Sequence, residues 1–186
     1  MQLTGKQIVD KEIIYGVCEE GIQQQGVDVR LMNVAEVSID LGDHGFVPKQ
    51  GKTETPCVKN IESVDGVWKL KPGYYEVEFA EGCKLPNNAA MYFKTRSSLV
   101  RCGAIIHSGQ FDAGFSTSRM GAFLHVIKPI WIEVGARVAQ AIVTESYNVD
   151  AENMYDGQWQ NDKQRLKDIV DLIGPELEFL NSINSK

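Results

Sequence analysis

Two guanidinium groups and two hydroxyls fall within six residues at Arg96-Ser97-Ser98-Leu99-Val100-Arg101. The planar donor fork of arginine matches phosphate oxygens, and serine hydroxyls with backbone amides can complete a cradle. The same residues also suit a plain turn with surface ion pairs. Their company narrows the choice. Ser108-Gly109-Gln110-Phe111-Asp112-Ala113-Gly114-Phe115 follows shortly after. A tight hairpin whose glycine exposes main chain is a good place to read a base edge. Asp112 beside it either holds and deprotonates a water or is an ordinary turn aspartate. Gln140, closing Gly135-Ala136-Arg137-Val138-Ala139-Gln140, sits in an otherwise apolar run. A buried amide needs partners, so Gln140 is a network residue or a ligand contact. Tyr155-Asp156-Gly157-Gln158-Trp159-Gln160 puts two aromatics on a glycine-containing segment. Such a segment closes over a flat base or anchors the tail.

These residues need a scaffold, and the hydropathy pattern describes one. Thr4 and Gln7 have capping-box spacing, with Ile8 and Val9 starting an apolar face, so a short helix opens the chain. From Gly26 the period becomes two. Val27, Val29 and Leu31 alternate with Asp28 and Arg30, and Tyr75, Val77 and Phe79 alternate with Glu76 and Glu78. Further strands are expected at Met91–Lys94, Cys102–Ile106, Gly121–Val126, Ile130–Glu133 and Val138–Thr144, with Pro- and Gly-bearing turns between them. Many short strands without alternating helices predict an all-β chain, a sandwich or distorted jelly-roll barrel. Residues 42–66, rich in Gly, Asp, Lys and Thr, read as a long hairpin or surface excursion. In the tail, Leu166, Ile169, Val170 and Ile173 make one helical stripe, stopped by Gly174-Pro175, and Leu177, Leu180 and Ile183 mark a second short turn.

Composition removes several function classes. The 186 residues fit one domain with an appendage, and 43% hydrophobic with 24% charged is a globular balance. Nineteen Lys+Arg against twenty-five Asp+Glu leave a net charge of −6, a poor start for clamping duplex nucleic acid. No apolar run approaches the roughly 20 residues that span a bilayer, and Met1 to Lys11 lacks a secretory layout. The cytosol is the expected setting, and neither nucleic acid nor membrane is an expected partner. Cys18, Cys57, Cys83 and Cys102 are scattered, without a CxxC or Cys/His cluster, and read as reduced buried thiols rather than zinc ligands.

In order along the chain, Gln25 to Leu31, Arg96-Ser97-Ser98-Leu99, Phe111-Asp112-Ala113-Gly114-Phe115, Gly135 to Gln140 and Gly157-Gln158-Trp159-Gln160 resemble the motifs of the dUTPase / dCTP deaminase superfamily. The opening, Leu3 to Ile8 with Val27-Asp28, is similar to the deaminase-type N-terminus and to archaeal-type dUTPases built on it. The resemblance covers residues 1–162, a nucleotide-binding barrel, and leaves 163–186 as a C-terminal helical extension. It implies a distorted jelly-roll subunit and a homotrimer with three shared active sites. It also implies a deoxynucleoside triphosphate bound with Mg²⁺. Carried over by position, Asp28 lies near the metal–water shell, and Arg96, Ser97 and Ser98 hold phosphates with Arg101 nearby. Gln140 contacts the α-phosphate region, and Ser108, Gly109, Gln110, Phe111 and Asp112 read the pyrimidine. Trp159 stands where the family carries a Tyr before a Gln. One subunit's Tyr155–Gln160 segment would close over nucleotide held by another, with the tail from Lys163 near that interface.

Two reactions of the family need different groups. Hydrolysis of dUTP to dUMP and pyrophosphate needs a base for water and neutralisation of the triphosphate, which Asp112, arginines and Mg²⁺ supply. Zinc-free deamination needs a carboxyl group at the ring, carried in the deaminases by a glutamate about ten residues beyond the aspartate. That position is Ala122, and no acid lies between Asp112 and Ile132. The HxE…PCxxC pattern of zinc deaminases is absent. Hydrolysis is therefore favoured. A dCTP deaminase or bifunctional enzyme is the alternative, and a catalytically weak nucleotide-sensing module is a third. The polar stretch Ser116-Thr117-Ser118-Arg119-Met120-Gly121 and the lack of a glycine-rich C-terminus both depart from ordinary dUTPases.

Overall fold

The computed structural model describes residues 1–37, 58–157 and 159–163 in full, with the backbone of 45–47 and 52–54. Helix α1 (Gly5–Asp10) opens the chain with Thr4 as N-cap. The Gln7 N–H donates to Thr4 Oγ1 at 3.3 Å and the Thr4 N–H donates to Gln7 Oε1 at 2.9 Å. This is the reciprocal box that the spacing predicts, worth about 1 kcal/mol. Ile8 is fully buried beneath it.

Strands β1 (Ile14–Tyr15), β2 (Ile22–Gln23), β3 (Gly26–Val37), β4 (Gly45–Val47) and β5 (Lys52–Glu54) follow. Next come β6 (Val58–Asn60), β7 (Val67–Leu70), β8 (Gly73–Phe79), β9 (Gly82–Lys84) and β10 (Ala89–Thr95). The short helix α2 (Ser97–Arg101) leads into β11 (Ala104–His107), β12 (Ser116–Thr117), β13 (Gly121–Val126), β14 (Ile130–Glu133) and β15 (Arg137–Glu145). The main sheet is antiparallel in the order β10-β15-β3-β8-β13-β11, with β2 and β6 added to β3. Its two edges are stitched by hydroxyls. Thr95 Oγ1 donates to Ile106 O and accepts from the Ile106 N–H, and the Phe93 N–H donates to Ser108 Oγ at 3.0 Å. The sheet is thereby nearly closed into a barrel, which removes the open edges that favour aggregation. This is the all-β barrel expected from the strand pattern.

Val27, Val29 and Leu31 of β3 meet Tyr75, Val77 and Phe79 of β8 in the core, where Phe79 and Phe93 pack edge-to-face at 4.9 Å. Gly26 starts β3 with φ of 149°, and a Cβ there would lie 2.4 Å from Ala141 O. Only glycine lets β3 approach β15 so closely.

Three expectations change. Asp28, expected near a metal–water shell, is only 3% exposed, because two arginines cover it. The segment after β11 is not a two-strand hairpin. It crosses to β10, where Phe111 and Met91 exchange both backbone hydrogen bonds at 2.7 and 2.9 Å. Of the thiols, Cys83 is buried, with desolvation pushing it up to about 12, but Cys18 is half-buried and Cys102 is exposed at the end of α2. Within 42–66, β4 pairs with β5 and β6 with the end of β3. The helical stripe from Leu166 to Ile173 and the turn ending at Ile183 lie outside the described residues. Among the described residues, no helix is long and apolar enough to cross a membrane.

Candidate active site

The first group of predicted residues is built across three strands. Lys94 of β10 pairs with Gln140 of β15, and Gln140 pairs with Asp28 of β3. Directly paired residues share a face, so the three side chains stand in one row. A β-bulge between Arg137 and Ala139 shifts the register so that Arg137 pairs with Arg30. The extra residue turns Arg137 onto the face of Asp28 and Gln140, where strict alternation would have pointed it away. Arg137 Nη1 then lies 3.3 Å from Asp28 Oδ2 and also donates to Glu20 O. Arg96, the residue before α2, brings Nε to 3.1 Å from the same oxygen and donates from Nη1 to Arg137 O at 3.0 Å. Burial pushes the Asp28 carboxyl above its ordinary value, with Arg96 and then Arg137 pulling the other way. Ser97, Ser98 and Arg101 project from α2 into solvent beside this cluster, and Lys94 is exposed. Four cations, an amide and two hydroxyls thus lie around or beside one buried carboxylate, a surface suited to a polyphosphate.

The second group lies at the opposite edge of β10. Phe111 is held to Met91, and Asp112 next to it is exposed, its Oδ1 accepting from Gln110 Nε2 at 2.9 Å. Gly109 is open around its Cα. The aromatic series Phe93, Phe111, Phe115 and Tyr155 runs edge-to-face at 5.1–5.2 Å between neighbours, tying Tyr155 to this region. Gln160 is hydrogen-bonded to the Gly114 and Ser116 backbone. Trp159 is partly exposed on the same segment.

The two groups stand apart in one chain. Met91 and Lys94 are three residues apart on β10, roughly 10 Å along a strand, and the groups lie on opposite edges of it. Ala122 lies on β13 opposite Val77, 8% exposed, and offers no proton carrier. Among the described residues, no group of three or more His, Cys, Asp or Glu could hold a metal ion.

A family model described as dCTP deaminase-like matches residues 3–146. The chain belongs to the dCTP deaminase-like family. This places it in the dUTPase / dCTP deaminase superfamily that the motif order suggested. A probable deoxyuridine 5'-triphosphate nucleotidohydrolase of Halobacterium salinarum is 33% identical over 152 residues, 79% of this chain and 87% of the relative. The deoxyuridine 5'-triphosphate nucleotidohydrolase of Methanocaldococcus jannaschii is 33% identical over 140 residues, 75% of this chain and 86% of its own. In structure, the chain is similar to the 2'-deoxycytidine 5'-triphosphate deaminase of Agrobacterium tumefaciens. The TM-score is 0.56 at 16% identity, covering 78% of this chain and 48% of that one, a likeness of fold.

Within this family member, the structure gathers Asp28, Arg96, Ser97, Ser98, Arg101 and Gln140 at one end of β10, and Ser108, Gly109, Gln110, Phe111, Asp112, Tyr155, Trp159 and Gln160 at the other. Ser108 spends its hydroxyl on the barrel seam. Two members of the cationic group escaped the sequence reading. Lys94 had a signal, since it stands two residues before Arg96 and shares its side of the strand. Arg137 had none, because the bulge that aims it leaves no trace in the period.

Proposed function

We propose that the chain hydrolyses dUTP to dUMP and pyrophosphate. The observation that carries this is its 33% identity, over three-quarters of its length, to relatives named deoxyuridine 5'-triphosphate nucleotidohydrolases. The absence of an acid at Ala122 favours hydrolysis over ring deamination. In this reading residues 1–162 are the catalytic unit, and the cytosol, where nucleotide pools lie, is its setting. Arg96, Arg137, Lys94, Ser97, Ser98 and Gln140 hold the triphosphate. Asp28 fixes both guanidinium groups rather than facing solvent. Asp112, exposed and oriented by Gln110, takes a proton from the water whose oxygen attacks the α-phosphorus. The bond to the bridging oxygen breaks and pyrophosphate leaves, its charge met by Arg101 and its neighbours.

The donors present suit Mg²⁺ that arrives on the nucleotide, since the Asp28 carboxylate is tied to two guanidinium groups and Asp112 stands exposed to an incoming metal-bound phosphate. When bound, the ion neutralises phosphate charge. The separation of the two groups along β10 supports a site completed between subunits, and hence the homotrimer. The outward face of β8, β13 and β11 supports it too. Tyr74, 56% exposed, stacks on His125 at 4.3 Å, with Phe123 and His107 beside them, a surface suited to a second copy.

Steady-state assays with dUTP and dCTP, scoring pyrophosphate and ammonia separately, test the reading. Pyrophosphate from dUTP is expected. Ammonia from dCTP would install the deaminase instead, and neither product would leave a binding module. The Asp112→Asn variant should lose about 10²–10⁴-fold in kcat with an unchanged Tm.

A further inference from the structure

The segment after β15 does not trail away from the barrel. The Tyr155 N–H donates to Ala113 O at 2.9 Å, Gln160 Nε2 donates to Gly114 O at 2.8 Å, and the Ser116 N–H donates to Gln160 Oε1 at 2.8 Å. Asp162 then accepts from Thr117 Oγ1 at 2.6 Å and from the Ser118 N–H. Each contact falls on the next stretch of 113–118, so the segment imitates a paired strand through two side chains. Asn161 and Asp162, at φ of 50° and 59°, make the sharp turn that aims the second of them. Gly114 has φ of 84°, and a Cβ there would lie 2.9 Å from Met154 Cβ, so the two stretches touch directly.

Asp112 sits between two fixed points. On one side Phe111 is pinned to Met91. On the other, the Phe115 N–H closes a turn onto Asp112 O at 3.1 Å, and Phe115 O and β12 beyond it are held by the Leu85 N–H and by β9, so that Gly114 O, inside the turn, is the point that Gln160 holds. One N–H and the oxygen of the Gln160 amide are engaged by backbone, which ties the side chain to the scaffold. We propose that Met154, Tyr155, Gln160 and Asp162 clasp the 113–118 backbone of their own subunit, and that Gln160 is a positioning residue that sets the Asp112 turn for water activation. This rests on the hydrolytic reading above.

The test uses the full chain with Gln160→Ala and Gln160→Glu. The second keeps an acceptor for the Ser116 N–H and loses the donor to Gly114. Two readouts are taken: amide hydrogen exchange without nucleotide, and kcat against KM for dUTP. In Gln160→Ala, exchange at the Ser116 amide should quicken by about tenfold, the scale of one lost hydrogen bond. Its kcat should fall by about tenfold or more with KM within twofold, since a small displacement of a reacting group is costly. Gln160→Glu should keep the Ser116 amide slow and recover most of kcat. A raised KM with unchanged kcat and exchange makes Gln160 a substrate contact and overturns the proposal. Faster exchange with unchanged kcat makes the clasp a passive strap and overturns it equally. If the parent chain releases no pyrophosphate, the hydrolytic reading falls and the positioning role with it. The clasp then stands or falls on the Ser116 amide alone.

Discussion

Strand β3 carries Asp28 and Arg30 on one face, and the two ion-pair networks they enter are finished differently. Around Glu81, which is fully buried, both carboxylate oxygens are engaged by one residue. Oε1 lies 2.7 Å from Arg30 Nε, Oε2 accepts from the Arg30 N–H at 2.8 Å, and Arg30 Nη2 goes on to Gly16 O at 2.6 Å. The hydrogen bond to Glu81 is the main cause holding the Arg30 guanidinium further above its ordinary value. Around Asp28, one oxygen is shared between two guanidinium groups at 3.1 and 3.3 Å, beside an exposed lysine and two exposed serines. In the first network the carboxylate is fully engaged and the pair holds the barrel. The second keeps two arginines in place with donors to spare, which is what a site for an incoming polyanion requires. A buried acid next to an arginine is therefore no guide to function by itself. Each of the three arginines makes two side-chain contacts, so what separates the networks is that Asp28 gathers two guanidinium groups on one oxygen beside Lys94, whereas Glu81 spends both oxygens on one arginine.

The largest way to break the comparison is Glu81→Ala. Removing one partner of a buried pair costs about 3–5 kcal/mol, since the remaining charge is left uncompensated. For a chain of this size that is roughly a 10 °C loss in Tm, read by thermal unfolding. Activity per folded molecule should stay near the parent value. A shift under about 2 °C would put the two networks in one class.

The same contrast explains what the sequence could show. Strand positions were legible because Val27 to Leu31 of β3 and the whole of β8 alternate, and α1 because Thr4 and Gln7 form its cap. Clusters of arginine and serine at 96–101 announced themselves by type. Glu81 did not, since a single acid between Ala80 and Gly82 carries no periodic or motif signal, and its partner lies 51 residues away. Nor did the bulge that turns Arg137, or the crossing of 108–111 to β10, because long-range register is fixed by pairing partners and not by local propensity. The contacts of Gln160 and Asp162 with 113–118 were hidden for the same reason. Both side chains looked like ligand or loop residues until the strand they imitate was in place.

Asp28→Asn should have the opposite profile to Glu81→Ala. The neutral amide no longer draws in the two guanidinium groups, so Arg96 and Arg137 lose their common anchor. A fall of about tenfold or more in kcat/KM for dUTP is expected, in the range set by one charge-assisted contact of about 1.5–3 kcal/mol. The loss in Tm should be smaller than for Glu81→Ala, because the substitution also relieves a buried charge. Unchanged kcat/KM would mean that the arginines are held by Glu20 O and Arg137 O alone.

The smallest effect, and the sharpest, is in pH. Burial raises the Asp28 carboxyl above its ordinary value of 3.8, and the two arginines only partly offset this. The native state therefore binds this proton more tightly than the unfolded chain does. Stability contributed by the protonated group is fully present below the unfolded value, is lost as pH rises through the raised native value, and is constant above it. An asparagine cannot titrate, so the Tm of the parent minus that of Asp28→Asn should decline as pH rises from about 4, then level off. Every other carboxylate contributes to both curves and cancels in the difference. A difference that grows with pH over that window would show that Arg96 and Arg137 outweigh desolvation. Asp28 would then be stabilised as an anion like a fully paired carboxylate, and the electrostatic contrast between the two networks would fall.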